Sequence, residues 1–106
     1  MVTIDDIKKL NLKVAQICDV QDHPDADRLY VLTVSFGDEK RTIVAGIKPS
    51  YKKEALVGKQ VVVIENLEPA VIRGVESRGM LLAASDDEGI TIVTPQRLVA
   101  NGSRVS

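Results

Sequence analysis

The chain has 106 residues, 44% of them hydrophobic and 27% charged, with a formal net charge of −1 and a single cysteine. That length suits one domain able to bury a core without disulfides or metals, and no apolar run approaches the ~20 residues a membrane helix needs. Cys18 alone excludes an internal disulfide framework and fits a reducing, cytoplasmic setting, and the near-neutral balance excludes a generally basic polyanion binder, leaving room only for a local positive patch.

Thr3 followed by Asp6 reads as a capping box opening a short helix through about Leu10, a start unlike a signal peptide. Leu12, Val14, Gln16, Cys18 and Val20 alternate with Lys13, Ala15, Ile17, Asp19 and Gln21, predicting a long strand with Cys18 on its apolar side as a core filler. Asp22–Asp27 ("DHPDAD") is a loop, Leu29–Phe36 a second strand, Gly37-Asp38 a tight turn and Arg41–Ala45 a third strand. Residues 46–58 read as a loop with one helical turn, and Gln60–Glu65 as a fourth strand. "NLEPAVIRGVESRG" (Asn66–Gly79) is a long Gly- and Pro-containing excursion before a fifth strand, "MLLAAS" (Met80–Ser85). A turn at "DDEG" leads to a short sixth strand, Ile90–Val93, and the tail from Thr94 reads as mostly irregular.

Short strands with Gly and Pro turns and one terminal helix predict an all-β domain over residues 1–106. A five-stranded, Greek-key barrel of the OB type with a C-terminal extension fits the count, with a two-sheet sandwich as the alternative. Val61–Ile64 and Met80–Ala84 do not alternate, so both faces of those strands need cover. The N-terminal helix, the tail and a partner subunit are all candidates.

Charge is unevenly placed: residues 1–40 are net −3, residues 41–79 net +3 and residues 80–106 net −1. His23, Asp25 and Asp27 resemble a metal cluster in spacing but lack a calcium loop's Gly and bidentate Glu. They read instead as loop builders, with Asp25 or Asp27 bonding the backbone as an Asx turn. With one histidine, no nucleophile set, no Walker loop and no dinucleotide fingerprint, the sequence points to no enzyme, no cofactor and no metal. What remains is the basic middle: Lys48, Lys52 and Lys53 in "IKPSYKKE", Asn66 after the fourth strand, and Arg73, Ser77, Arg78, Gly79 and Met80 in "VIRGVESRGM". Arginine's planar fork suits phosphate, and glycines at 74 and 79 allow close approach to the backbone.

The stretches "KVAQICDVQDHPDADRLYVLTVSFGDEKRTIVAGIKPSY" and "LVGKQVVVIENLEPAVIRGVESRGMLLAAS", with the closing "NGSRV", resemble the tRNA-binding OB-fold domain family. That family comprises the C-terminal domain or small subunit of methionyl-tRNA synthetases, free-standing structure-specific tRNA-binding proteins, and the domain related to endothelial monocyte-activating polypeptide. The resemblance implies an OB barrel, a homodimer, and non-catalytic binding of tRNA by shape, as a free protein or together with methionyl-tRNA synthetase. It places the tRNA contacts on Lys48, Asn66, Arg73, Ser77, Gly79 and Met80. Glu68 and Val71 stand where the family commonly carries positive charge, and Arg78 offsets one of them. A secretion chaperone sharing the fold is the alternative, although its loop after the first strand differs from "HPDADRLY".

Overall fold

The computed structural model describes residues 1–106. Helix α1 (Ile4–Lys8) is closed at its start by the expected capping box, with the Thr3 hydroxyl accepting from the Asp6 amide at 3.3 Å and the Asp6 carboxylate accepting from the Thr3 amide at 3.0 Å. None of its residues is buried.

Strand β1 (Leu12–Asp22) is the longest strand and pairs on both sides. Its first half lies antiparallel to β4 (Gln60–Ile64) and its second half to β2 (Tyr30–Ser35), which turns at Gly37-Asp38 into β3 (Lys40–Ala45). Two hairpins follow β4: β5 (Ala70–Ile72) with β6 (Val75–Ser77), and, after the two-residue β7 (Met80–Leu81), β8 (Ala83–Asp86) with β9 (Gly89–Ile92). The main sheet runs β3-β2-β1-β4-β7, with β10 (Arg104–Val105) against β1.

The sheet curls until the segment ahead of β7 meets the free edge of β3. There the Arg78 amide donates to the Thr42 carbonyl at 2.9 Å and the Val44 amide donates to the Ser77 hydroxyl at 3.0 Å. An open β3 edge would leave these groups unpaired, so the contact closes an OB-like barrel. Gly79 makes the closure possible. Its φ is +122°, and a Cβ there would sit 3.0 Å from the Ile64 carbonyl oxygen and 3.2 Å from Val63 Cγ1.

The core draws on every barrel strand: Ala15, Ile17 and Val20 from β1, Leu32 and Val34 from β2, Ile43 from β3, Val61 and Val63 from β4, Leu81 from β7. Leu56, the last residue of helix α2 (Lys53–Leu56), is fully buried and joins this cluster. Fully burying each such side chain contributes about 1.5–3 kcal/mol.

Three expectations change. The core face of β1 is Ala15-Ile17 and then Val20, because the register to β2 shifts between Ile17 and Asp19. A bulge resets the two-residue period, and Cys18 is exposed instead of filling the core. Second, "MLLAAS" is two strands, since the Leu82 amide bonds to Val62 and its carbonyl takes the Val93 amide. Ala83 and Ala84 beyond it are exposed, so only β4 is buried on both faces. Third, the tail is ordered along the barrel. Gln60 donates to Val99 O at 2.7 Å and Asn101 Oδ1 at 2.8 Å, and Val14 exchanges backbone bonds with Gly102 and Ser103. The tail, and not α1, therefore covers this side of β1 and β4.

Candidate nucleic-acid interface

The excursion is built around the β5–β6 hairpin. Ile72 pairs with Val75, which leaves Arg73-Gly74 as a two-residue loop with φ of 52° and 89°. Positive φ at both positions is the type I′ geometry that matches strand twist, and Asn-Gly is its usual sequence. Arg73 is the only non-glycine residue in the chain with positive φ. A long cation is thus held at a tip where a short polar residue is the easier choice.

The tip is tied to the loop between β1 and β2. Arg73 Nη2 donates to the Asp25 carbonyl at 3.0 Å. His23, 5% exposed, accepts the Asp25 amide on Nδ1 at 3.0 Å. Nε2 must then carry the ring proton, and it donates to the Ile72 carbonyl at 3.0 Å. Both ring nitrogens are committed to backbone. His23 organises this loop, where Asp25 or Asp27 was expected to do so.

The hairpin and the outer side of β2–β3 enclose an open polar cleft of about 530 Å³, lined by Thr33, Lys40, Arg41, Thr42, Glu76 and Arg78 among others. Lys40 and Arg78 are exposed and unpaired with any carboxylate. Arg41 is fixed: it donates to the Glu65 carbonyl at 2.7 Å and to Glu39 at 2.9 Å, and lies 5.4 Å from the Phe36 ring centre. Sequence reasoning missed Lys40, Thr33 and Thr42. The two-residue period of β2 and β3, with Thr33 opposite Thr42 and Ser35 opposite Lys40, was the available signal.

Two lysines of the "IKPSYKKE" segment share one carboxylate. Lys48 Nζ lies 3.1 Å from Asp22 Oδ1 and 5.9 Å from the Tyr30 ring centre, and Lys53 Nζ lies 3.1 Å from Asp22 Oδ2. The hydrogen bonds from Lys48 first and Lys53 second hold the Asp22 carboxyl below the usual carboxylate range. Tyr30 anchors the segment by donating to the Tyr51 carbonyl at 2.7 Å. Lys52 is exposed and makes no ion pair.

The other predicted residues are placed differently. Asn66 latches α1: its Oδ1 accepts the Asn11 amide at 2.8 Å and its Nδ2 donates to Lys9 O at 2.7 Å. The Ser77 hydroxyl is buried in the barrel seam, where it also donates to the Gly79 carbonyl at 3.2 Å, so it is not offered to a ligand. The close approach at Gly79 is by strand β4, not by a phosphate. Met80, expected as the first buried residue of its strand, is 46% exposed. It lines, with Val44, Ile47, Leu67, Ile72 and Ile90, an apolar groove of about 480 Å³.

A small curled sheet that carries basic loops and a basic hairpin is an OB-type barrel of the kind that holds oligonucleotides on its second and third strands and adjoining loops. The chain belongs to the tRNA-binding domain family: the family profile described as "Putative tRNA binding domain" matches residues 12–104. It is similar to the methionine–tRNA ligase of Thermococcus kodakarensis, with 53% identity over 104 residues that make up 98% of this chain and 14% of that protein. The chain thus spans about one seventh of the length of such relatives. Among solved structures it is similar to a MetRS-related protein from Pyrococcus horikoshii (34% identity, TM-score 0.92, 100% of this chain and 98% of that one). It is also similar to a CsaA chaperone protein from Picrophilus torridus (28% identity, TM-score 0.93, 100% of both chains).

Proposed function

We propose that this domain binds tRNA through its backbone and shape, with little reading of sequence, and raises the tRNA affinity of a methionyl-tRNA synthetase as part of it or beside it. The observation that carries this reading is the Arg73 tip, an arginine kept in a left-handed conformation beside a polar cleft bearing the unpaired cations Lys40 and Arg78. Arg73, Arg78 and Lys40 make the main phosphate contacts. Lys52 and the Asp22-bridged Lys48 and Lys53 extend the positive rim. Gly79, Ser77 and Asn66 support it from behind, and Met80 packs at its apolar border. A-form RNA hides its major groove, so such a rim meets phosphates and 2′-hydroxyls. A gel shift with unrelated tRNAs tests this: comparable, salt-sensitive affinities support it, and binding of one tRNA alone, or of none, refutes it.

The same reading includes a homodimer. Ile4 and Ile7 share one exposed side of α1, while Asn66 holds the helix in place. An ordered apolar face without cover within its own chain suits a second subunit. The apolar groove at Met80 favours a second reading, a protein-interaction module like the CsaA chaperone. Binding of an unfolded client with no tRNA shift would select it.

A further inference from the structure

The β5–β6 hairpin is a separate two-stranded sheet, bonded to the barrel at its base through Ser77 and Arg78. A lone hairpin of this length is marginally stable and does not fix where its tip points. Two tethers at the tip do: Arg73 to the Asp25 carbonyl, and His23 to the Ile72 carbonyl. The Arg73 tether ends on the peptide segment that His23 itself orders by accepting the Asp25 amide. The imidazole therefore sits at the junction of both.

We propose that His23 is the positioning residue of the RNA-binding hairpin: its neutral ring holds the Arg73 tip against the β1–β2 loop, and a second ring proton releases it. This rests on the tRNA-binding reading above. On protonation, Nδ1 becomes a donor facing the Asp25 N–H, itself a donor, so a buried bond is lost and not replaced. The charged groups around the ring offer no substitute. Asp22, Asp25, Asp27 and Arg28 flank it on its own loop, Arg73 and Glu76 come from the hairpin, and Lys48 and Lys53 reach Asp22 from the segment after β3. No carboxylate bonds either ring nitrogen. Electrostatics alone has the opposite sign, because an added positive charge beside the rim strengthens attraction for phosphate. The direction of the pH dependence therefore separates the two.

The experiment measures tRNA affinity by fluorescence anisotropy at fixed ionic strength from about pH 8 to about pH 5.5, the range in which histidines change charge. Wild type is expected to lose about fivefold or more on acidification, the lower end of the cost of a stranded buried group. His23→Gln, which can donate to Ile72 O and does not titrate, is expected to flatten the profile and recover most of the neutral-pH affinity. His23→Ala is expected to bind weakly at every pH, with folding checked by circular dichroism. In an Arg73→Asn background, which tolerates the left-handed tip, the His23→Ala cost should vanish, since residues acting through one contact are not additive. Affinity that holds or rises on acidification, or a His23→Ala cost undiminished without Arg73, overturns the proposal. Absence of tRNA binding by wild type at about pH 8 overturns the tRNA reading instead. The clamp is then judged without RNA from the ring ¹⁵N shifts, where any tautomer other than Nε2–H refutes it.

Discussion

The Ser77 hydroxyl receives the amide proton of Val44 at 3.0 Å, across the seam where the barrel closes. Ser77→Ala strands that buried amide, at a cost of about 1–3 kcal/mol. The expected outcome is a lower melting temperature with little change in the tRNA affinity of the folded fraction. A variant that melts like the parent but binds RNA poorly would return Ser77 to the contact surface.

A neighbouring prediction concerns Gly79. An added methyl meets the Ile64 carbonyl at 3.0 Å, on a backbone with φ of +122°. Gly79→Ala combines strain with overpacking, each typically costing about 1–3 kcal/mol. Denaturant unfolding should show a reduced midpoint at unchanged slope. A neutral result would mean that the seam is looser than its geometry indicates.

The two seam residues also show what a sequence can and cannot convey. The alternation of Tyr30–Ser35 and the Gly37-Asp38 turn are local, and they predict β2, β3 and their hairpin directly. The role of Ser77 depends on a partner 33 residues away, which no local pattern carries. Cys18 misled for a related reason: a bulge shifts parity without altering residue type. The β5–β6 strands have three residues each, too few for a period to show, and their turn is Arg-Gly and not Asn-Gly. The basic side chains of the site were legible by type. Which of them are tethered, as Lys48 and Lys53 are to Asp22, was not.

That tether makes Asp22→Asn informative. Removing the carboxylate frees Lys48 and Lys53 and adds one unit of net positive charge on the rim. Affinity for tRNA should rise and its salt dependence steepen by up to about one unit of slope per new phosphate contact. Asp22 is lowered by its lysine partners, so whatever the bridge contributes to stability is fully present above the unfolded carboxyl value of 3.8. It is lost as the pH falls through the lower folded value, so it persists throughout the neutral range. Weaker binding by Asp22→Asn would show that the bridge orders the lysines usefully.

Sedimentation tests the second subunit. At tens of micromolar the protein should run as a dimer, and Ile4→Lys with Ile7→Lys should shift it to monomer. The barrel should melt nearly unchanged as a monomer, because neither side chain is buried in its own chain. A wild-type monomer mass, or a dimer indifferent to both lysines, removes α1 from the interface.

Arg73 and Arg78 give the most direct test of the rim. Both are exposed, and the Arg78 side chain has no partner, its backbone amide alone serving the seam. Arg78→Ala should therefore leave stability within about 0.5 kcal/mol. A charge-assisted hydrogen bond nets about 1.5–3 kcal/mol, so losing one to phosphate should weaken every tRNA by about tenfold or more. Arg73→Asn should act similarly on binding, with a small stability change of either sign, since it relieves the left-handed tip but drops the bond to Asp25. A domain making three to five phosphate contacts should show a log–log salt slope of about −2 to −4, and each substitution should reduce that slope by about 0.7–0.9. The measurement is a salt titration of each variant against two unrelated tRNAs. If both variants keep the parent slope and affinity, phosphate is not met by this hairpin. Loss for one tRNA alone would mean that the hairpin reads bases and not backbone.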